Sequence, residues 1–150
     1  MTIVGPGEGP CPFCAYLSGA AECAFITRTA DVASFVNVRQ YERGALLVVP
    51  VRHLPTVFDL DADTLSGVYA EARRVGDALV RAFGATGLNI YQNNGVDAGQ
   101  SIPHHHIHVV PRYPTSERMR IFHGDDFEPV PMSTQLAVAD AVRAALRQGY

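Results

Sequence analysis

The stretch that decides the fold is SIPHHHIHVV, residues 101–110. Its β-branched residues predict a strand over Ile102–Val110. Because successive side chains of a strand point to opposite faces, this register places His104, His106 and His108 on one face, at steps of about 7 Å. Three imidazoles therefore line a polar face, opposite a mostly apolar one.

Two kinds of chemistry use such a row of imidazoles. A neutral imidazole, with an ordinary pKa of ~6.5, can attack phosphorus at neutral pH, and flanking groups can fix its tautomer or stabilise phosphate oxygens. Three histidines can also hold a catalytic zinc ion. The spacing alone leaves nucleophilic catalysis and metal binding equally open, and a purely structural role is the least favoured.

The flanking sequence predicts an α+β domain with a mostly antiparallel sheet of about five strands. Strands are expected in four further segments, Phe25–Thr29, Ala33–Val38, Ala45–Val49 and Leu88–Gln92. A last helix is expected to start at a cap on Ser133 or Thr134 and to run to about Gln148.

One long central helix is expected over Asp63–Phe83, where apolar residues recur at spacings of three and four. Asp63 is its predicted N-cap and Gly84 follows its end. Gly67 and Gly76 lower its intrinsic helix propensity, so its stability must come mostly from packing.

The chain of 150 residues is expected to form one domain, 1–150, with a flexible leader at 1–10 and an irregular segment at 114–132. Its net charge is −3, which gives no indication of a nucleic-acid polymer as partner. All 12 basic residues are Arg, so a lysine nucleophile, a Schiff base and a P-loop lysine are excluded.

Three cysteines, one close pair among them, are a poor disulfide framework and favour a reducing compartment. No signal peptide and no apolar run of membrane-spanning length are visible. A cytoplasmic protein that does not enter membranes is therefore expected.

Three motifs resemble the histidine triad (HIT) family. His104–Val110 resembles its triad, Asn93–Ser101 its preceding loop, and Gly44–His53 its strand ending in Pro-x-x-His. The resemblance covers roughly residues 11–113 and implies a small α+β domain that pairs into a homodimer. It also implies an enzyme that hydrolyses or transfers nucleotidyl groups through a covalent nucleotidyl-histidine.

By this resemblance His106 is the nucleophile, His108 holds the phosphate or sets the tautomer of His106, and Ser101 contacts the phosphate and leaving group. The implied nucleotide-binding residues are Asn37, Val38, Asn93, Gly99, Gln100, Ser101, His106 and His108. Expected substrates are purine nucleotides, dinucleoside polyphosphates, nucleoside phosphoramidates or adenylylated compounds. The base, the leaving group and the choice between hydrolase and transferase stay open.

Two residues depart from the family pattern. His105 stands where an apolar residue is usual, and we expect it to face the core with a hydrogen-bond partner. Asn37 stands where many members carry an Asp that holds the ribose hydroxyls, which leaves ribose recognition open.

The pair Cys11 and Cys14 is by itself a weak signal, with thioredoxin-like redox chemistry as the rival. One branch of the family binds zinc, and the resemblance then implies a structural Cys₂His₂ site that adds His53 and His104. Cys23 is expected to be a small buried apolar residue. His123 receives no role.

Two other functions remain possible at this stage. One is a hydrolase whose catalytic metal is held by His104, His106 and His108. The other is a nucleotide-binding or zinc-stabilised interaction module without turnover.

Overall fold

The computed structural model describes residues 3–7, 9–116 and 128–147. The described helices and strands are, in chain order, α1 Pro12–Ser18, β1 Phe25–Arg28, β2 Val32–Val36, β3 Leu46–Pro50, α2 Ala62–Phe83, β4 Gly87–Tyr91, β5 Ile107–Arg112 and α3 Met132–Arg147. Single 3-10 turns lie at Val57–Asp59 and Val96–Ala98.

The five strands form one antiparallel sheet in the order β1-β2-β3-β5-β4. Both β2 and β3 are buried along their whole length, as their apolar composition predicts. This confirms the expected α+β architecture, with one long helix and one C-terminal helix beside a five-stranded sheet.

The two faces of the sheet are covered differently. On one face α2 and α3 pack over residues such as Val48 and Val109, which are completely buried. On the other face α1 places Phe13 and Leu17 against Phe35 in a smaller apolar cluster. Because α1 covers only part of this second face, the rest of it can form a cavity.

Gly76 shows how packing offsets poor helix propensity in α2. A Cβ atom at this position would lie 2.7 Å from Leu88 Cδ2 and 3.4 Å from Val109 Cγ1. The absent side chain therefore lets the helix approach β4 and β5 closely.

Several predicted boundaries were wrong. The predicted strand at Ile102 begins only at Ile107, so the first two histidines of the alternating row, His104 and His106, precede it. Helix α1 was not expected. Cys11 is its N-cap and Cys14 lies in its first turn. The other strand ends differ from the predicted ones by one or two residues.

The N-cap of α2 is Asp61 rather than the predicted Asp63. The Asp61 carboxylate accepts from the backbone N–H of Thr64, while Asp63 lies within the first helical turn. Gly84 ends the helix in the left-handed conformation, as predicted. Helix α3 begins at Met132, so Ser133 and Thr134 lie within its first turn instead of capping it.

Near the N-terminus, Ile3 and Val4 contact the loop before the histidines. The carbonyl of Val4 accepts from the backbone N–H of Val96 at 2.9 Å. Ile3 lies so close to Gly95 that a Cβ atom there would come within 2.6 Å of it. His123 and the expected helix end at Gln148 lie outside the described residues.

Within the described ranges, no helix has both the length and the apolar character that a membrane crossing requires.

Replacing Asp61 with Ala tests the observed cap. The variant loses the acceptor for Thr64 and the ion pair with Arg52 at 3.2 Å, so we expect a lower free energy of unfolding at pH 7. The matched control Asp63→Ala should lose less, because Asp63 lies in the first helical turn without a hydrogen bond or ion pair among the described residues, so that it interacts there through the helix dipole. Equal losses in urea unfolding would contradict the assignment.

The pH dependence of this difference has a defined sign. Hydrogen bonds from Thr64, and then Arg52, lower the pKa of the Asp61 carboxyl below its ordinary 3.8. The contribution of Asp61 is therefore complete above that pH and is lost as the pH falls through the folded-state pKa. Wild type and Asp61→Ala should converge in stability in that acidic range.

Candidate active site and metal cluster

A cavity of about 170 Å³ opens on the sheet face that α1 partly covers. One water molecule needs about 10–15 Å³ of such space, so a ligand of many atoms fits. The cavity is lined by Pro12, Phe13, Tyr16, Phe35, Asn37, Val38, Arg39, Tyr41, Leu47, Tyr91, Asn93, Gly99, Ser101, Ile102, His106 and His108. Seven of the eight expected nucleotide-binding residues are in this set.

His106 presents one defined ring nitrogen for chemistry. Its Nδ1 lies 2.7 Å from the carbonyl oxygen of His104. Because a carbonyl can only accept, Nδ1 carries the proton and Nε2 keeps its lone pair. Burial lowers the pKa of His106, and the backbone hydrogen bond opposes this only in part, so the ring is neutral at pH 7.

His108 lies next to the nucleophile candidate, with ring centroids 4.9 Å apart. Its ring is stacked on Tyr91 at 4.6 Å and an interplanar angle of 4°. Its Nδ1 is 3.2 Å from the hydroxyl of Tyr41. Burial, and then the proximity of His106, lower the pKa of His108 to about 3, so it is also neutral.

The loop before the triad supplies another wall of the cavity. Gly99 has a φ of +82°, which favours glycine, and the Asn93 amide donates to its carbonyl at 3.4 Å. Ser101 lines the cavity beside it. The loop therefore turns its backbone and two short polar side chains toward a ligand.

Gln100 has a different place from its neighbours. It is 3% exposed and does not line the cavity. Its Oε1 accepts from the Gly95 N–H at 2.7 Å, and its Nε2 donates to the carbonyls of Pro55 and Ile102 at 2.7 and 2.9 Å. The Gln100 backbone N–H also donates to the Gly95 carbonyl, so this residue holds the loop from beneath.

An aromatic wall faces the histidines. Phe13 and Tyr16 come from α1 and pack edge-on against Phe35 of β2, at centroid distances of 5.3 and 5.7 Å. The sequence analysis missed this wall because it missed α1. The available signal was a cysteine N-cap followed by Pro12 at the first helical position.

Asn37 and Val38 follow β2 and line the cavity. Asn37 is 8% exposed, and its Oδ1 accepts from the backbone N–H of Arg39 at 3.0 Å. One lone pair of this amide oxygen is therefore used in the turn, and the side chain also forms a hydrogen bond with the Tyr41 hydroxyl.

The second cluster consists of Cys11, Cys14, His53 and His104, whose four ligand atoms all lie within 4.8 Å of one another. His104 Nδ1 lies 3.5 Å from Cys11 Sγ and 3.6 Å from Cys14 Sγ, and His53 Nδ1 lies 3.2 Å from Cys14 Sγ. A tetrahedral zinc ion with ordinary bond lengths places such atoms about 3.5 Å apart. The geometry of the cluster therefore fits the ion.

The ring of His104 is already in the tautomer that a metal requires. Its Nε2 lies 2.8 Å from the carbonyl of Pro50, so Nε2 carries the proton and Nδ1 turns its lone pair to the cysteines. Burial, with the neighbouring Cys11, raises the pKa of the Cys14 thiol to about 11. A bound cation would instead favour the thiolate.

The three histidines of the alternating row lie on the side of the sheet that α1 covers. The rings of His104 and His106 both pack against Phe13, at centroid distances of 5.9 and 5.3 Å, and His108 lies beside His106. His104 faces the cysteines, whereas His106 and His108 face the cavity. In the part of the chain that the structure describes, the one candidate metal group is the Cys/His cluster. The three-histidine catalytic metal site therefore has no geometric support.

His105 is buried, as expected, but lacks the expected side-chain partner. Both ring nitrogens are without a hydrogen bond among the described residues, and only its backbone N–H is paired, with the carbonyl of Leu54. Burial lowers its pKa to about 4, which keeps the ring neutral.

Cys23 is half-buried beside the smaller apolar cluster, and burial raises its pKa to about 12.

The antiparallel α+β fold, with two neutral imidazoles in the cavity and a third beside two cysteines, defines a histidine-triad domain. The HIT domain model matches residues 18–115, and the chain belongs to the HIT family.

Known proteins show similarity at several levels. The chain is 30% identical to Protein hit of Bacillus subtilis, over 79% of this chain and 84% of that protein. It is 39% identical to the asymmetrical bis(5'-nucleosyl)-tetraphosphatase of Schizosaccharomyces pombe, over 57% of this chain and 47% of that enzyme, so it spans about half of that relative. A zinc-bound histidine triad protein of Mycobacterium smegmatis matches with a TM-score of 0.78 and 30% identity, over 92% and 94% of the chains.

Replacing Gln100 with Ala tests its bracing role. The Pro55 carbonyl and the Gly95 N–H lose their partner, and the Ile102 carbonyl keeps only the His104 N–H, so we expect the free energy of unfolding to fall by about 3 kcal/mol. The control Gln135→Ala removes one bond from a similarly buried amide, to Val130, and should cost about 1 kcal/mol. Similar losses for both variants in urea unfolding would refute the bracing role.

Proposed function

We propose that this protein cleaves nucleotides at the α-phosphate through a covalent nucleotidyl intermediate on His106. The observation that carries the proposal is the hydrogen bond from His106 Nδ1–H to the His104 carbonyl, in a ring that lines the cavity. It leaves Nε2 as the nucleophilic atom.

The proposed reaction has two displacements at phosphorus. In the first, the lone pair of His106 Nε2 forms a bond to the α-phosphorus, and the bond to the leaving-group oxygen breaks with its electron pair. The ring then carries positive charge, which the His104 carbonyl stabilises through the proton on Nδ1. In the second, a water or another acceptor attacks the phosphorus and the N–P bond electrons return to Nε2.

The cavity walls suit the parts of a mononucleotide. The aromatic wall of Phe13, Tyr16 and Phe35 offers faces and edges for a base. Asn37, at the sequence position that the resemblance assigns to ribose binding, lines the cavity together with Val38. Gly99, Ser101 and His108 surround the nucleophile and supply the setting for phosphate oxygens, with Asn93 beside them and Gln100 holding their loop.

The comparisons support the reaction class. One relative is named as a hydrolase of bis-nucleosyl tetraphosphates, and we propose a dinucleoside polyphosphate or a related purine nucleotide as substrate here.

The homodimer and the cytoplasmic location stay predictions. In the single chain described, β4 is an edge strand of the sheet, since it pairs only with β5. Ile90 on β4 is 41% exposed.

The Cys/His cluster is proposed to hold a structural zinc ion. Two thiolates and two imidazoles give a closed tetrahedral set with no position for a reacting water. The ion would tie α1 and His53 to His104, whose carbonyl orients the nucleophile. The zinc-bound relative supports this assignment.

Replacing His106 tests the mechanism. His106→Ala should lower turnover of diadenosine tetraphosphate by at least about 1,000-fold, because no other group carries the nucleotidyl unit. His106→Asn should lose as much, although its amide can still donate to the His104 carbonyl. Wild type quenched during turnover should carry one nucleotidyl group on His106, detected by peptide mass spectrometry.

Both variants should still bind the non-hydrolysable analogue of the substrate, which confirms that the cavity is intact. Full activity in either variant would refute the nucleophile. Analogue binding by wild type without any adduct or product would favour the non-catalytic binding module.

Replacing Cys11 with Ser tests the metal proposal. Purified wild type should contain about one zinc ion per chain, and Cys11→Ser should contain far less and unfold at lower urea concentration. Cys23→Ser, whose sulfur lies outside the cluster, is the matched control and should keep its zinc. Wild type that refolds fully in a chelator and gains no stability from added zinc would contradict the assignment.

A further inference from the structure

Two tyrosines and His108 form a polar chain in the cavity wall. The hydroxyls of Tyr41 and Tyr91 are 3.0 Å apart, and Tyr41 Oη is 3.2 Å from His108 Nδ1. The Tyr91 ring is also stacked on the His108 imidazole. Tyr41 and Tyr91 are 50 residues apart, and both precede His108 in the sequence.

The loop that carries Tyr41 is held in place by its neighbour. Gln40 Nε2 donates to the carbonyls of Asn37 and Ala45, both at 2.7 Å, and its Oε1 accepts from the Gly44 N–H at 2.7 Å. Three hydrogen bonds from one amide side chain therefore define where the Tyr41 hydroxyl lies.

One arrangement gives both hydroxyl protons an acceptor within this chain. Tyr91 donates to Tyr41, and Tyr41 donates to His108 Nδ1. Tyr41 Oη also receives a hydrogen bond from the Asn37 side chain, so two donors polarise its O–H. In the reverse arrangement His108 donates to Tyr41, and the Tyr91 hydroxyl proton has no acceptor among the described residues.

We propose that Tyr41 is a positioning residue that donates to His108 Nδ1 and thereby keeps the single proton of this neutral ring on Nε2. The proton then serves as a hydrogen-bond donor to an anionic phosphoryl oxygen beside His106, where a bare lone pair would repel it. Tyr91 orients Tyr41 and stacks on the ring. This role rests on the proposed reaction, but the tautomer is a property of the protein without substrate.

The first test reads the tautomer directly. In the full-length ¹⁵N-labelled protein, the His108 resonances, identified by their loss in His108→Gln, should show a protonated Nε2 and an unprotonated Nδ1. Tyr41→Phe should convert this pattern to a mixture of tautomers. The control Tyr113→Phe loses a comparable phenol hydrogen bond, to the Arg43 carbonyl outside the cavity, and should leave it unchanged.

Two results would overturn the proposal: a protonated Nδ1 in wild type, or an unchanged His108 pattern in Tyr41→Phe. Tyr91→Phe provides a second variant that keeps the ring stack and Tyr41. It should shift the resonances in the same direction to a smaller extent.

The second test connects the tautomer to turnover. Tyr41→Phe should lower kcat about tenfold, the effect of one hydrogen bond of ordinary strength, with little change in KM. In a His108→Gln background the same substitution should change kcat less than about twofold, because an amide has no tautomers to select. Equal losses in both backgrounds would show that Tyr41 acts elsewhere.

The two proposals can fail separately. An unreactive His106 with the expected His108 resonances would remove the reaction and leave the tautomer assignment standing. Loss of activity in His106→Ala with the opposite His108 tautomer would retain the reaction and remove the role of Tyr41.

Discussion

The hydrogen bond from His106 Nδ1 to the His104 carbonyl is the interaction on which the site depends. It decides which nitrogen of the nucleophile is bare, and its length of 2.7 Å is set by the backbone of the adjacent chain segment. That segment is held in turn by the His104 ring, which donates to the Pro50 carbonyl of β3 and faces Cys11 and Cys14. One residue therefore connects the sheet, the cysteine cluster and the reacting imidazole.

The three histidines of the alternating row contact different neighbours. His104 belongs to the Cys/His cluster, whereas His106 and His108 line the cavity, and similar residues therefore have separate functions. Strand β5 begins only at Ile107, and before it His105 donates its backbone N–H to the carbonyl of Leu54. His104 lies at the end of the row that meets Cys11 and Cys14, whereas the other two rings line the cavity. The alternation rule placed the three imidazoles on one side of the sheet, but it does not tell which of them meet the cysteines and which meet the cavity.

The sequence predicted the features that depend on local pattern. The five strands and the long helix follow from apolar periodicity, the resemblance to the family implied the four clustered Cys and His residues, and the structure contains all of them. Helix α1 was not predicted, because its seven residues are too few to give a clear helix propensity signal and the helix is stabilised by the packing of Phe13. Tyr41 and Tyr91 escaped because their contacts join distant segments, and no spacing in the sequence indicates such a pair.

The two loops that shape the cavity are each braced by one glutamine, Gln40 on one side and Gln100 on the other. Carboxamides neither gain nor lose a proton between strong acid and strong base, and salt screens them only weakly. The outline of the cavity is therefore decoupled from acidity and ionic strength. Changes of pH or salt concentration therefore alter the charge of the ligand and of the imidazoles, while the cavity that receives the ligand keeps its dimensions.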